Sequence, residues 1–206
     1  KNSDFKFTEV ELMTNYKVKS DDNSLQTDNA FNTQYISKKH QFLLVPSELA
    51  SIPANATIVD FAFKVRTVPD AALSNFRVAV LLSSQVTGLT TFVDAAPLPS
   101  VVRGPETIPV EKFAVGAWTH FALETPVVWD GNRNLILETT TTSASVPTTN
   151  RGNFFYRIAT GDRHAFWYDQ SSTPPVPPKE YPFSGVHSFG PDANVPALRV
   201  AYRTTN

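Results

Sequence analysis

Apolar and polar side chains alternate with a repeat of two along much of the chain, the periodicity of half-buried strands. In Thr57–Arg66, Val59, Phe61, Phe63 and Val65 share one face, while Ile58, Asp60, Lys64 and Arg66 fall mostly on the other. Phe76–Leu82 repeats the pattern with Phe76, Val78, Val80 and Leu82 in phase. Ala197–Arg203 does so with Leu198, Val200 and Tyr202 set against Arg199 and Arg203. Near the start, Phe5 and Phe7 share one phase and Val10 and Leu12 the other, so a continuous strand there requires a bulge near Thr8–Glu9. Further strands are predicted at Gln41–Val45, Asn153–Ala159 and His164–Tyr168.

The stretch Ala117–Thr142 reads as two strands joined at Trp129-Asp130-Gly131-Asn132, because Asp-Gly tolerates the positive φ of a hairpin turn. Pro126 suits an edge or a kink. One helical turn is predicted, at Pro46–Ser51, stopped by Pro53. Three stretches without period read as loops, near residues 20–32, 94–110 and 170–191; the last carries a Pro-rich core. Many short strands and no amphipathic helix predict an all-β fold: a two-sheet antiparallel β-sandwich, jelly-roll-like, as one domain over residues 1–206. A closed barrel is the alternative.

Composition narrows the function. The absence of Cys excludes disulfides and thiol-ligated metals. With 18 Lys plus Arg against 19 Asp plus Glu, and no basic run, the chain has no electrostatic footprint for nucleic acid or an anionic membrane. No apolar run approaches the ~20 residues that span a bilayer, so no membrane insertion is expected. Lacking an initiator Met and a charged-then-apolar leader, Lys1 reads as a processed or otherwise trimmed start.

Candidate chemistry is sparse. His40, His120, His164 and His187 are isolated, without metal-ligand spacing, and no metal or cofactor is expected. Nucleophile-elbow, P-loop and dinucleotide fingerprints are absent. A carboxylate pair for glycoside hydrolysis needs two acids that meet in space. Glu48, Asp60, Glu124 and Glu138 are the acids inside regular segments. Asp21, Asp22, Asp94 and Asp130 offer loop oxygens to a calcium ion, although turn chemistry explains Asp130 better. The main surface constellation is aromatic: His164-Ala165-Phe166-Trp167-Tyr168, then Tyr181-Pro182-Phe183 across the Pro-rich stretch. Trp167, Tyr168, Tyr181 and Phe183 are the ligand-contact candidates, because rings bring much contact area at little rotamer cost. Alternation sends one set of His164–Tyr168 to the core: Phe166 and Tyr168, or else Trp167. Trp118 and Trp129 are assigned to packing. Asn55-Ala56-Thr57 is a glycosylation sequon, meaningful on a eukaryotic secretory route.

Gln41-Phe42-Leu43, Ser47-Glu48-Leu49, Ile58 with Phe61-Ala62-Phe63, Trp118 to Pro126 and Trp129-Asp130-Gly131 with Asn134-Leu135 form a recurring set. Over roughly residues 41–140 this pattern resembles a β-sandwich module of secreted and surface proteins of Bacteroidetes. The resemblance implies an extracellular, noncatalytic role and transfers no binding residue. The expected function is therefore a recognition or adhesion module that meets a glycan or a protein surface. A self-assembling subunit of a virion or surface filament is the alternative, and a β-sandwich hydrolase the second.

Overall fold

The computed structural model describes residues 5–19, 30–33, 35–142, 152–169, 181 and 189–205. Its regular structure is strand apart from one 3-10 turn at Val110–Lys112. The strands are β1 (Phe5–Glu11), β2 (Lys17–Val18), β3 (Ser37–Leu44), β4 (Thr57–Thr67), β5 (Leu73–Ser83), β6 (Ser100–Ile108) and β7 (Trp118–Val128). They continue with β8 (Asn134–Thr142), β9 (Asn153–Phe154), β10 (Tyr156–Ile158), β11 (His164–Tyr168), β12 (Phe189–Asp192), β13 (Asn194–Pro196) and β14 (Leu198–Thr205). One sheet runs β1-β14-β4-β7, with β9 beside β4. The other runs β12-β11-β3-β8-β5-β6, and β13-β10-β2 form a small third sheet. The antiparallel pairs β3–β8, β4–β7 and β5–β6 are nested in sequence and alternate between the two main sheets, the winding of a jelly roll.

The core between the main sheets is aromatic. Phe31, Phe63, Phe121 and Phe154 are buried together, with ring centroids 5.2 to 6.1 Å from Phe31. Phe42 and Phe76 extend the cluster. The alternation in β4 holds for Phe61, Phe63 and Val65, but not for Val59. Tyr202 pairs with Ile58 and Ala201 with Asp60, so Val59 is the extra residue of a bulge. A bulge turns the phase by one position, which buries Ile58 and leaves Val59 half-buried. The bulge expected in β1 is absent: its register with β14 is unbroken from Phe5 to Glu11. Val10 and Leu12 face the core, and Phe5 and Phe7 point to solvent.

Three further expectations need correction. Val128 and Asn134 border a turn in which Gly131 does have positive φ, at 88°. The turn does not close a hairpin, however, because β7 and β8 belong to different sheets and it carries the chain across the sandwich. Trp129, 2 % exposed, plugs that end and donates its indole N–H to the Arg133 carbonyl. Second, the stretch 94–110 contains β6, an edge strand, in place of a continuous loop. Gly104 and Pro105 sit where the β5–β6 register shifts, between Arg103 opposite Val78 and Glu106 opposite Phe76. An edge bulge is where a strand accepts both residues. At 46–51 the chain makes consecutive turns without a helix, burying Leu49 and Ile52.

The six-stranded sheet is covered on both faces. Leu43, Ile136 and Ala165 on its outer side pack under Leu89 and Phe92, from the connection between β5 and β6. Every residue of β3 is consequently buried, polar ones included.

Candidate functional site

Polar side chains on β3 generate two buried clusters, one on each face of the sheet. Lys39 and Gln41 point outward, where the connection between β5 and β6 folds over them. Gln41 Oε1 accepts from the Val93 N–H at 2.8 Å, and Gln41 Nε2 donates to Glu138 Oε2 at 2.7 Å. Glu138 stands directly across from Gln41 on β8. Lys39 Nζ lies 2.7 Å from Asp94 Oδ1 and 3.7 Å from Glu138 Oε2, and 4.6 Å from the centroid of Phe92. The Tyr181 hydroxyl donates to Glu138 Oε1 at 3.4 Å, and the Arg77 guanidinium covers the Tyr181 ring.

These groups border a recess of about 190 Å³ lined by Lys39, Val93, Asp94, Leu98, Pro99, Glu138 and Tyr181. Its floor is charged and buried: Lys39 and Glu138 side chains are each 3 % exposed, against 39 % for Asp94. Burial raises the Glu138 pKa, opposed by Lys39 and by the hydrogen bonds from Gln41 and Tyr181. Burial, and then the Glu138 charge, raises the Tyr181 phenol. One cation between two carboxylates, a ring, and an apolar wall from Val93, Leu98 and Pro99 suit a small hydroxyl-bearing ligand, which needs acceptors for its hydroxyls and a surface for its C–H face.

On the inner face, Lys38 and His40 enter the sandwich. His164 Nδ1 donates to Asp192 Oδ1 at 3.2 Å, which leaves His164 Nε2 as the acceptor for the His40 Nδ1–H at 3.1 Å. His40 Nε2 has no hydrogen-bond partner among the described residues. Burial, then His164 and Lys38, hold the His40 pKa well below 6.5. A histidine that stays neutral when folded and protonates when unfolded gives stability that is lost as pH falls below its unfolded value. Lys38 and Asp192 are each shifted in other pH ranges. Between about pH 6 and pH 5 wild type is therefore expected to lose about 1.4 kcal/mol per unit more than His40→Phe, measured by urea unfolding. Parallel pH profiles would contradict a neutral buried His40.

The four ring candidates separate. Tyr181 lines the outer recess, and Trp167, half-buried on the same face, stands across from Lys39 and packs on the outer apolar cluster. Tyr168 faces inward and stacks on Tyr35 at 4.1 Å. Phe183 lies outside the described residues. Both alternating sets of β11 are covered, since both faces of its sheet are. Trp118 is not a core residue: half-buried on the outer face of the five-stranded sheet, it lies under the Arg199 guanidinium, 4.5 Å from its centroid.

The acids singled out in regular segments do not converge. Glu48 is spent on Arg163, Asp60 pairs with His120 at 2.9 Å, and Glu124 is exposed. Among the described residues no three His, Asp or Glu side chains gather as a metal site. Glu138 is among the acids singled out in the sequence, but Lys39 and Gln41 are not joined to it there, because the polar run Ser37-Lys38-Lys39-His40 has no strand periodicity. The signal available was their cross-strand adjacency, which requires the register. Comparison with protein-family models, with curated proteins and with solved structures finds no match.

Proposed function

We propose that this chain is a noncatalytic extracellular recognition module and that the outer recess beside Lys39, Asp94, Glu138 and Tyr181 is its carbohydrate contact. One observation carries the reading: buried charges of both signs, a tyrosine ring and an apolar wall converge on a recess of about 190 Å³. The volume is below the ~300 Å³ at which drug-sized pockets begin, so the ligand is a single sugar residue, the exposed end of a glycan. Glu138 anchors through a carboxylate already fixed by Gln41 and Lys39 and therefore needs no reordering on binding. The resemblance to surface modules of Bacteroidetes supports an extracellular setting.

A glycan array probed with wild type, Glu138→Gln and Tyr181→Ala tests this. Wild type is expected to retain a defined set of glycans, with signal reduced at least tenfold in each variant and circular dichroism unchanged. An array without wild-type binding, or with equal signal in folded variants, would overturn the carbohydrate reading.

A second reading, a self-assembling subunit, rests on β1. It is the outermost strand of its sheet and holds Phe7, 68 % exposed, and Phe5, 41 % exposed, toward solvent. An edge strand with outward rings is a ready pairing surface. Light scattering would show an oligomer that Phe7→Lys dissolves if this reading is right, and a monomer if it is not.

A further inference from the structure

Among the described residues, the inner polar cluster contains a charge without a counter-charge. Lys38 enters the sandwich from β3 and is 2 % exposed. Its ammonium donates to the Ala30 carbonyl at 3.2 Å. No carboxylate pairs with it among the described residues, and burial alone lowers its pKa, to about 7. Two ammonium N–H donors are therefore unspent.

Directly across from Lys38 on β8 stands Thr141, whose buried hydroxyl has no hydrogen-bond partner among the described residues. Both residues line a recess of about 20 Å³, together with Asn32, Thr33, Tyr35 and Ser74. That volume exceeds the ~10–15 Å³ that one water-sized occupant requires. It is too small for the tetrahedral oxyanions sulfate and phosphate. The lining offers hydroxyl, amide and ammonium donors and no carboxylate.

We propose that this recess binds one monatomic anion, a halide such as chloride, between Lys38 Nζ and the Thr141 hydroxyl. An ammonium withdrawn from bulk water without a counter-charge is strongly unfavourable, and an opposite charge within contact distance offsets that where a water molecule does not. The anion accepts what Lys38 and Thr141 have left to donate. It thereby joins β3 to β8 at the polar end of the sandwich, next to the stacked pair Tyr35 and Tyr168. This site is independent of the outer recess and of any carbohydrate.

Bromide is the probe. Crystals grown in sodium bromide are expected to show an anomalous peak within hydrogen-bonding distance of both Lys38 Nζ and Thr141 Oγ1. A water there, without anomalous signal, would overturn the proposal. In solution near pH 6, exchanging sodium gluconate for sodium chloride at constant ionic strength should raise the wild-type Tm by roughly 2–4 °C. Lys38→Met, which keeps the apolar stem, should not respond and should match or exceed the wild-type Tm in gluconate. Equal chloride responses in the two proteins would also overturn it.

Discussion

Replacing Phe63 by Ala is expected to destabilise the protein by about 3–5 kcal/mol, the usual penalty for emptying an aromatic core position. Phe63 is wholly buried, and its ring meets Phe31 at 5.5 Å, Phe154 at 5.3 Å and Phe121 at 5.7 Å. Those neighbours come from the segment before β3, from β9 and from β7, so no single movement closes the cavity. Each is itself wedged against other rings, as Phe121 is against Phe76 at 4.8 Å. Collapse is therefore poor and the cavity term close to full. Urea unfolding with an unchanged m-value should show the loss. A change below about 1 kcal/mol would mean that the sheets do not meet at this ring.

The second large effect is predicted for Gly104→Ala, roughly 2–4 kcal/mol. Gly104 has φ of 87°, and a Cβ there would lie 2.3 Å from the Phe76 carbonyl oxygen. Left-handed backbone alone costs a non-glycine residue roughly 1–2 kcal/mol. The contact with β5 adds to this, because the obstacle is backbone and cannot rotate away. Gly116 provides the control: its φ is 79° and nothing lies within 4 Å of its added Cβ. Gly116→Ala should cost only the conformational part, roughly 1–2 kcal/mol, at or below the lower end of the Gly104→Ala range. Equal losses in the two variants would show that β6 does not approach β5 at Gly104.

Sheet periodicity was legible where the strand itself holds no inserted residue, as over Phe76–Leu82 of β5 and in β14, whose neighbours β6 and β4 carry the bulges. It failed in three physically distinct ways. In β4 a bulge at Val59 exchanged the faces of Ile58 and Val59, and alternation carries no mark of an inserted residue. In β6 the Gly104-Pro105 pair suggested a loop, although an edge strand with a bulge needs neither the proline N–H nor a negative φ. In β3 the strand is predicted only from Gln41, because the polar run Ser37-Lys38-Lys39-His40 shows no alternation, yet both faces of its sheet are covered and all four residues are buried. That last failure hid the candidate site, since Lys39, Gln41 and Glu138 acquire partners only through the pairing of β3 with β8 and the overlying connection. The aromatic reading located Trp167 and Tyr181 on the recess side of the sheet. Tyr168, one residue from Trp167, necessarily points to the opposite face.

The central claim, that the outer recess is the recognition surface, is tested most directly by amide chemical-shift mapping during titration with a glycan retained on the array. The expected perturbations cluster at Lys39, Gln41, Val93, Asp94, Glu138 and Tyr181, and disappear in Glu138→Gln. Perturbations confined to the exposed face of β1, or to the Trp118 and Arg199 surface of the five-stranded sheet, would contradict it.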